Sequence, residues 1–209
     1  EMDKNKKNFV VVSMRPLKLD HIKETRDTID QKLLNWINKI GYVPLLLPNT
    51  SKSILYLKKI KASGFIIGGG GRIEKGSLRY KREIEILKYS ISKKIPVLGI
   101  CYGMQMMSHF EGGRLSKIKN HVRTNHTIID KSKTANIYPK KVNSYHNYTI
   151  NKLPKSFDVI CTCEKGSIEA IKHKKYKWMG WMWHPERDRI FNPKLLKISK
   201  NFFKVRNIL

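Results

Sequence analysis

The sequence predicts an α/β fold, a three-layer sandwich with a mostly parallel central sheet and a small antiparallel strand region in its second half. Three observations carry that prediction. Through the first half, short apolar runs alternate with stretches of helical spacing. The run Val97–Ile100 stops at Cys101 and passes straight into a helical stretch over residues 104–110, as a buried parallel strand feeding a packed helix does. After Gly112-Gly113 the pattern changes to short strands at 126–129, Phe157–Cys163, 168–172 and 178–183.

In chain order, Phe9–Ser13 is the first apolar strand, and Met14-Arg15-Pro16 opens a loop at its carboxyl end. Ile29, Leu33, Trp36, Ile37 and Ile40 repeat at helical spacing, and Gly41 stands where that helix stops. A second strand spans 42–47, a short amphipathic helix 51–60, and a third strand Gly64–Ile67 runs into the glycines Gly68, Gly69, Gly70 and Gly71. Ile84, Ile86, Leu87 and Ile91 mark the next helix, and a closing helix spans 193–207. Strands joined by crossover helices lie parallel, and such sheets carry functional groups at the carboxyl ends of their strands. That rule puts Arg15, the glycine run and Cys101 on one edge.

Cys101 occupies the corner between strand and helix. Gly99 and Gly103, two residues to either side, leave room for the sharp turn of a nucleophile elbow. A thiol there faces a helix N-terminus, whose free N–H groups and dipole favour the thiolate. Taken alone, the same short pattern also fits a small buried hydrophobe. A nucleophilic thiol needs a base and a group that orients the base. Of the seven histidines, His184 follows the strand over 178–183, precedes Pro185 and has Glu186 two residues on. Pro185 biases His184 towards an extended conformation that can aim imidazole and carboxylate at a common point. A strand-ending histidine beside a solvent-facing glutamate is the plainer alternative. The glycine run lacks the Lys-Ser/Thr of a P-loop and the spacing of a dinucleotide fingerprint, so close backbone approach to a reacting oxygen suits it better. Cys161 and Cys163 alternate along one strand and point to one face, near which His173 would fall. No second Cys or His pair stands at zinc spacing, and no metal or cofactor is assigned. His21, His109, His121 and His126 read as loop or core histidines.

The 209 residues fit one domain, 9–209, behind a polar tail, 1–8. No apolar run approaches the length of a membrane span, and the run 9–12 is too short for a signal-peptide core, so a soluble cytoplasmic protein without a membrane partner is expected. Three cysteines, two of them one residue apart, make no disulfide framework. The formal charge is +27, from 43 basic and 16 acidic residues. The basic residues are mostly lysines spread along the chain, without an arginine cluster or aromatic-studded stripe, although residues 172–178 form a small local candidate. Charge of that kind attracts nucleic acid without reading it, and no specific nucleic-acid role is assigned. It would also draw in a small anionic substrate.

The segment Gly99-Ile100-Cys101-Tyr102-Gly103-Met104-Gln105 resembles the nucleophile motif of the class I glutamine amidotransferases, a family of flavodoxin-like fold. His184-Pro185-Glu186 is similar to that family's histidine and glutamate, in matching order and separation. Between them, Val142-Asn143-Ser144-Tyr145-His146-Asn147 and Trp183-His184-Pro185-Glu186-Arg187 resemble the γ-glutamyl hydrolase branch, which includes γ-glutamyl-γ-aminobutyrate hydrolases. Arg26-Asp27-Thr28-Ile29-Asp30, Lys119-Asn120-His121 and Asn143-Ser144-Tyr145-His146-Asn147-Tyr148 are most similar to the γ-glutamyl-CDP-amidate hydrolases of bacterial capsule phosphoramidate synthesis. The resemblance implies a Cys101, His184 and Glu186 triad, an oxyanion hole from the N–H groups of Gly70 and Tyr102, and a γ-glutamyl substrate. It further implies that Gln105 and the backbone around Ser144, Tyr145 and His146 hold the glutamyl head group. Arg15 is a candidate for the leaving-group side, and the Tyr102 side chain for substrate selection. Gly71-Arg72 departs from the family, which often has an acidic residue there. The nucleophile segment also resembles the amidotransferase part of GMP synthetase, which implies an alternative: a glutaminase subunit that passes ammonia to a synthetase partner.

Overall fold

Val10, Val11 and Val12 are all buried, yet Val10 and Val12 join one apolar cluster and Val11 another. A strand that is apolar on both faces must be covered on both, and this requirement sets the layering. The computed structural model describes residues 9–50, 52, 54–132 and 137–204; the expected tail, 1–8, and residues 205–207 of the expected closing helix lie outside them. Strand β1 (Phe9–Ser13) leads into a hairpin, β2 (Arg15–Leu19) and β3 (Glu24–Thr28), followed by α1 (Gln31–Lys39), β4 (Val43–Leu47) and α2 (Ile54–Lys59). Then come β5 (Gly64–Ile67), α3 (Leu78–Lys93), β6 (Val97–Ile100) and α4 (Tyr102–Phe110). The second half holds β7 (Arg114–Lys117), β8 (Val122–Asp130), β9 (Lys141–Tyr145), β10 (Tyr148–Lys152), β11 (Phe157–Cys163), β12 (Ile168–His173), β13 (Trp178–Trp181) and α5 (Pro193–Phe203).

Among the described residues, nine strands form one sheet in the order β4-β1-β5-β6-β13-β12-β11-β8-β9. The first five pair in parallel and the remainder antiparallel, so the antiparallel strands continue the central sheet. Helices α1 and α5 cover one face with Leu33, Trp36, Ile37, Leu195 and Phe203, whereas α2, α3 and α4 cover the other with Leu57, Ile86, Leu87, Met104 and Met107. Helix ends follow local chemistry. The Asp30 and Ser77 side chains accept from Lys32 N and Tyr80 N to start α1 and α3, and Gly41 takes the positive φ of 90° that lets the chain leave α1.

Two pieces differ from the sequence expectation. The segment after β1 is a hairpin, in which Arg15 pairs with Thr28 and Leu19 with Glu24. Both of its faces are largely exposed, so it carries no alternation of apolar and polar residues to read. Strands β7 and β10 form a second small antiparallel pair, exposed or half-buried at every position but Ile150.

Register sets up the site. Ile67 lies opposite Gly99, and Ile100 opposite Trp181, so β5, β6 and β13 end level and release the glycine run, Cys101 and the chain to His184 side by side. Helix α4 can start there because a Cβ on Gly103 would collide with the backbone carbonyl of Ile67, and one on Gly99 would stand 2.6 Å from both the Gly103 carbonyl carbon and Met107 Sδ. Gly103→Ala is therefore expected to destabilise the fold by about 3 kcal/mol, read as a lowered urea midpoint in equilibrium unfolding; an unchanged midpoint would show that α4 is not seated this tightly.

Candidate active site

Cys101 holds φ 51° and ψ −102°, in the positive-φ range that L-residues seldom adopt. Its N–H donates to the Trp181 carbonyl at 2.7 Å and its own carbonyl accepts from Gln105 N at 3.2 Å, which locks the turn to β13 on one side and to α4 on the other. Only 7 % of its surface is exposed. The first N–H groups of α4 have no side-chain cap, so those of Tyr102 and Gly103 lack an intrahelical acceptor.

His184 follows β13 at φ −112° and ψ 90°, short of a fully extended conformation, and Pro185 opens a 3₁₀ turn that carries Glu186. The imidazole Nδ1–H donates to Glu186 Oε1 at 2.6 Å, with both groups buried. Asn143 fixes the backbone beneath: His184 N–H donates to Asn143 Oδ1 at 2.9 Å, and Asn143 Nδ2 donates to the His184 carbonyl at 2.7 Å and to Asp188 Oδ1 at 2.8 Å. A Cβ on Gly69 would overlap the imidazole, so one glycine of the run is needed to admit the ring. Tyr145 meets the other side edge-on, with ring centroids 5.9 Å apart. Burial opposes charging of the His184 ring, but the Glu186 carboxylate, together with hydrogen bonds to Cys101 and Glu186, outweighs it and raises the pKa to about 9.

A buried network holds the glycine run. Arg79 donates from Nε to Glu83 at 2.8 Å, from Nη1 to the Gly70 carbonyl at 2.6 Å and from Nη2 to the Gly68 carbonyl at 3.2 Å. Those carbonyls belong to the peptides on either side of the Gly69–Gly70 unit, so a planar guanidinium fixes the direction of the Gly70 N–H between them. Glu83 also accepts from Ser13 Oγ at 3.0 Å and from the Tyr102 hydroxyl at 2.8 Å, and Arg79 stacks 3.8 Å above the Tyr102 ring. The Tyr102 side chain is 2 % exposed and points into this network, which corrects the expectation that it selects substrate.

Cys101, His184, Glu186, the glycine run and Tyr145 thus come to one edge of the sheet. Arg15 joins them: its guanidinium abuts Gly70, and it lines a cleft of about 370 Å³ with Gly69, Arg79, His184, Glu186 and Arg187. Gln105, Ser144 and His146 turn inward. Gln105 Nε2 donates to the Tyr148 carbonyl at 3.1 Å, Ser144 Oγ to the His121 carbonyl at 2.6 Å, and the His146 N–H to that same carbonyl at 3.1 Å. Arg72 is exposed and pairs with Glu74 at 3.4 Å. His173 pairs with Phe157 at the far end of the β11–β12 hairpin from Cys163, which corrects its expected place near the two cysteines. Register shifts flank Cys161 and break the strand's alternation there; burial, then the charges of Asp130 and Glu169, push its thiol up to about 12. The residues that sequence reasoning missed are Asn143, which the motif contained without a role, and Arg79 with Glu83, whose four-residue spacing on α3 places them on one helix face.

Residues 21–204 match the family described as glutamine amidotransferase class-I, and the chain belongs to that family. It is a hydrolase of the class I glutamine amidotransferase type. Over 206 residues it is 30% identical to the γ-glutamyl-CDP-amidate hydrolase of Campylobacter jejuni, covering 94% of this chain and 98% of that one. It is 27% identical to one subunit of the glutamine-hydrolysing GMP synthase of Methanococcus aeolicus, with 78% of this chain and 85% of the relative covered. The solved structure of a GMP synthase subunit from Thermoplasma acidophilum superposes with a TM-score of 0.71 at 20% identity, over 95% of this chain and 93% of its own. No helix among the described residues is long and apolar enough to cross a membrane.

The raised pKa of His184 has a definite sign. The group contributes stability that is fully present below the unfolded value of about 6.5 and is lost as pH rises through about 9. Followed by NMR of the ring, His184 should titrate near 9, and at a lower pH in Glu186→Gln, where burial is opposed by less. A midpoint that stays put would show that the carboxylate does not hold the charge.

Proposed function

We propose that Cys101, His184 and Glu186 form the catalytic triad of a stand-alone γ-glutamyl amide hydrolase. The observation that carries this reading is the strained cysteine turn beside a buried imidazole whose far nitrogen donates to Glu186 at 2.6 Å. His184 takes the thiol proton, and the Cys101 thiolate attacks the γ-carbonyl carbon, whose π electrons move onto oxygen. The oxyanion is held by the N–H groups of Tyr102 and Gly70. Its collapse breaks the carbon–nitrogen bond, and the leaving nitrogen takes its proton from the His184 imidazolium. Water then attacks the γ-glutamyl thioester, gives a proton to His184, and expels the thiolate and glutamate. Glu186 keeps the imidazole oriented throughout. Gln105 and the backbone around Ser144, Tyr145 and His146 would hold the glutamyl head group, with the His146 N–H already committed to His121.

The specific substrate we favour is γ-glutamyl-CDP-amidate, split into glutamate and CDP-amidate in capsule phosphoramidate synthesis. Similarity over nearly the whole of both chains to the Campylobacter hydrolase supports it. So does Arg15, which makes no ion pair among the described residues and lines the cleft where a phosphate-bearing, anionic leaving group would lie. The likeness to the Methanococcus protein favours the second reading, ammonia delivery from glutamine to a synthetase partner.

Glutamate release from γ-glutamyl-CDP-amidate, γ-glutamyl-γ-aminobutyrate and glutamine separates these readings. The purified chain should turn over the first fastest without a partner, and Cys101→Ala should abolish turnover with the fold retained. Turnover of glutamine alone, and only with a synthetase added, would overturn the hydrolase reading. Arg79→Lys should lower kcat about tenfold with little change in KM, because a lysine cannot hold both flanking carbonyls and Glu83. An equal loss through KM would mean that Arg79 binds substrate rather than positions the loop.

A further inference from the structure

The side chains of three histidines and a glutamate, which the proposed reaction does not use, meet behind the Tyr145 segment. His121 immediately precedes β8, His126 lies within it, His146 follows β9 and Glu169 sits in β12. Each offers a ligand-type atom, and these four atoms all lie within 4.8 Å of one another. His121 Nδ1 stands 3.4 Å from His146 Nε2, which stands 3.7 Å from Glu169 Oε1. A tetrahedral ion with bonds of about 2.05 Å has ligand edges of about 3.3 Å, so these two edges need to close by only a few tenths of an ångström.

An independent feature points to a ligand. Glu169 is fully buried, and while its Oε1 accepts from Ser167 Oγ at 2.8 Å, its Oε2 has no hydrogen-bond partner among the described residues; neither has His126 Nε2. A proton on His146 does not supply one, since 3.7 Å to Glu169 is too long for a hydrogen bond. His146 Nδ1–H already donates to the Tyr148 carbonyl at 3.0 Å, which leaves the Nε2 lone pair aimed into the cluster, where it accepts from His121 Nδ1, as in metal-bound imidazoles whose other nitrogen is held by a carbonyl.

We propose that His121, His126, His146 and Glu169 bind a zinc-class divalent cation. Three imidazoles and one carboxylate suit a borderline ion. Four protein ligands close its tetrahedron and leave no position for substrate, so the ion is structural. It ties β8 and β12 to the turn that carries Tyr145 against His184. His121 and His126 thereby gain a role, and the chain a metal, that the sequence did not suggest.

The test uses Cys101→Ala protein, which lacks the one active-site thiol that could compete for the ion. Stripped with a chelator and titrated with Zn²⁺, it should take up one equivalent per chain by calorimetry and elemental analysis, with a rise in Tm. His126→Ala and Glu169→Gln should each weaken uptake at least about tenfold. Co²⁺ in the same Cys101→Ala chain should give the intense visible bands of a tetrahedral site, a reading that stands even where a ligand variant fails to fold. Absence of stoichiometric Zn²⁺ uptake, uptake undiminished in both folded variants, or Co²⁺ without tetrahedral bands overturns the proposal.

Discussion

Cys101 sits at φ 51° and ψ −102°, and a residue held in so sparsely populated a region costs on the order of 1–3 kcal/mol. Such a state persists only where its surroundings over-determine it. Here the turn is pinned by the Trp181 carbonyl, by Gly103 against the Ile67 carbonyl and by Gly99 against α4. Each of those contacts comes from a strand or helix of the parallel half, so its core packing and the conformation of the cysteine are one problem. The level ends of β5, β6 and β13 follow from the same register, and they place the glycine run and His184 on either side of the thiol.

Around that turn, orientation is carried by buried charge. Glu186 fixes the proton on His184 Nδ1 and so leaves Nε2 for the hydrogen bond with Cys101. On the other flank, Arg79 spends its guanidinium on the two peptides that bracket Gly69–Gly70 and on Glu83. Glu83 in turn receives Ser13 from β1 and Tyr102 from α4. Both proposed oxyanion donors therefore belong to segments tied to a single carboxylate. A glycine run is free to move in many ways, and its value as a hydrogen-bond donor depends on this restraint.

How much of this is legible in the sequence depends on the range of the interaction. The elbow is a local pattern of five residues, and His184 with Glu186 a local pattern of three, so spacing singles out both as candidates and their combination separates them from a structural reading. The doubly buried strands declare themselves as apolar runs. Hairpin β2–β3 does not, because it buries no face, and its residues read as a loop although they carry Arg15 to the cleft. The Arg79 network escapes for a different reason: its partners lie on β1, the glycine run and α4, and no local signal joins them. His121, His126, His146 and Glu169 follow no ligand spacing in the chain. Antiparallel pairing, with Ile128 opposite Cys163 and His126 opposite Val142, helps to bring their segments together.

The distribution of acid gives one more step. With 16 carboxylates against 43 basic residues, an acidic side chain has abundant solvent-exposed partners and little reason to be buried. Among the described residues only Glu83, Glu169 and Glu186 are buried acids. A carboxylate removed from water needs compensating charge or hydrogen bonds for its oxygens. Glu83 has Arg79 and two hydroxyls, and Glu186, whose Oε2 is likewise without a hydrogen-bond partner among the described residues, has at its Oε1 an imidazole that its own field keeps protonated. Glu169 has one serine and a histidine beyond hydrogen-bond reach. By the standard that the other two meet, it lacks a cation, and a divalent ion shared with three imidazoles supplies one while also using the idle nitrogen of His126.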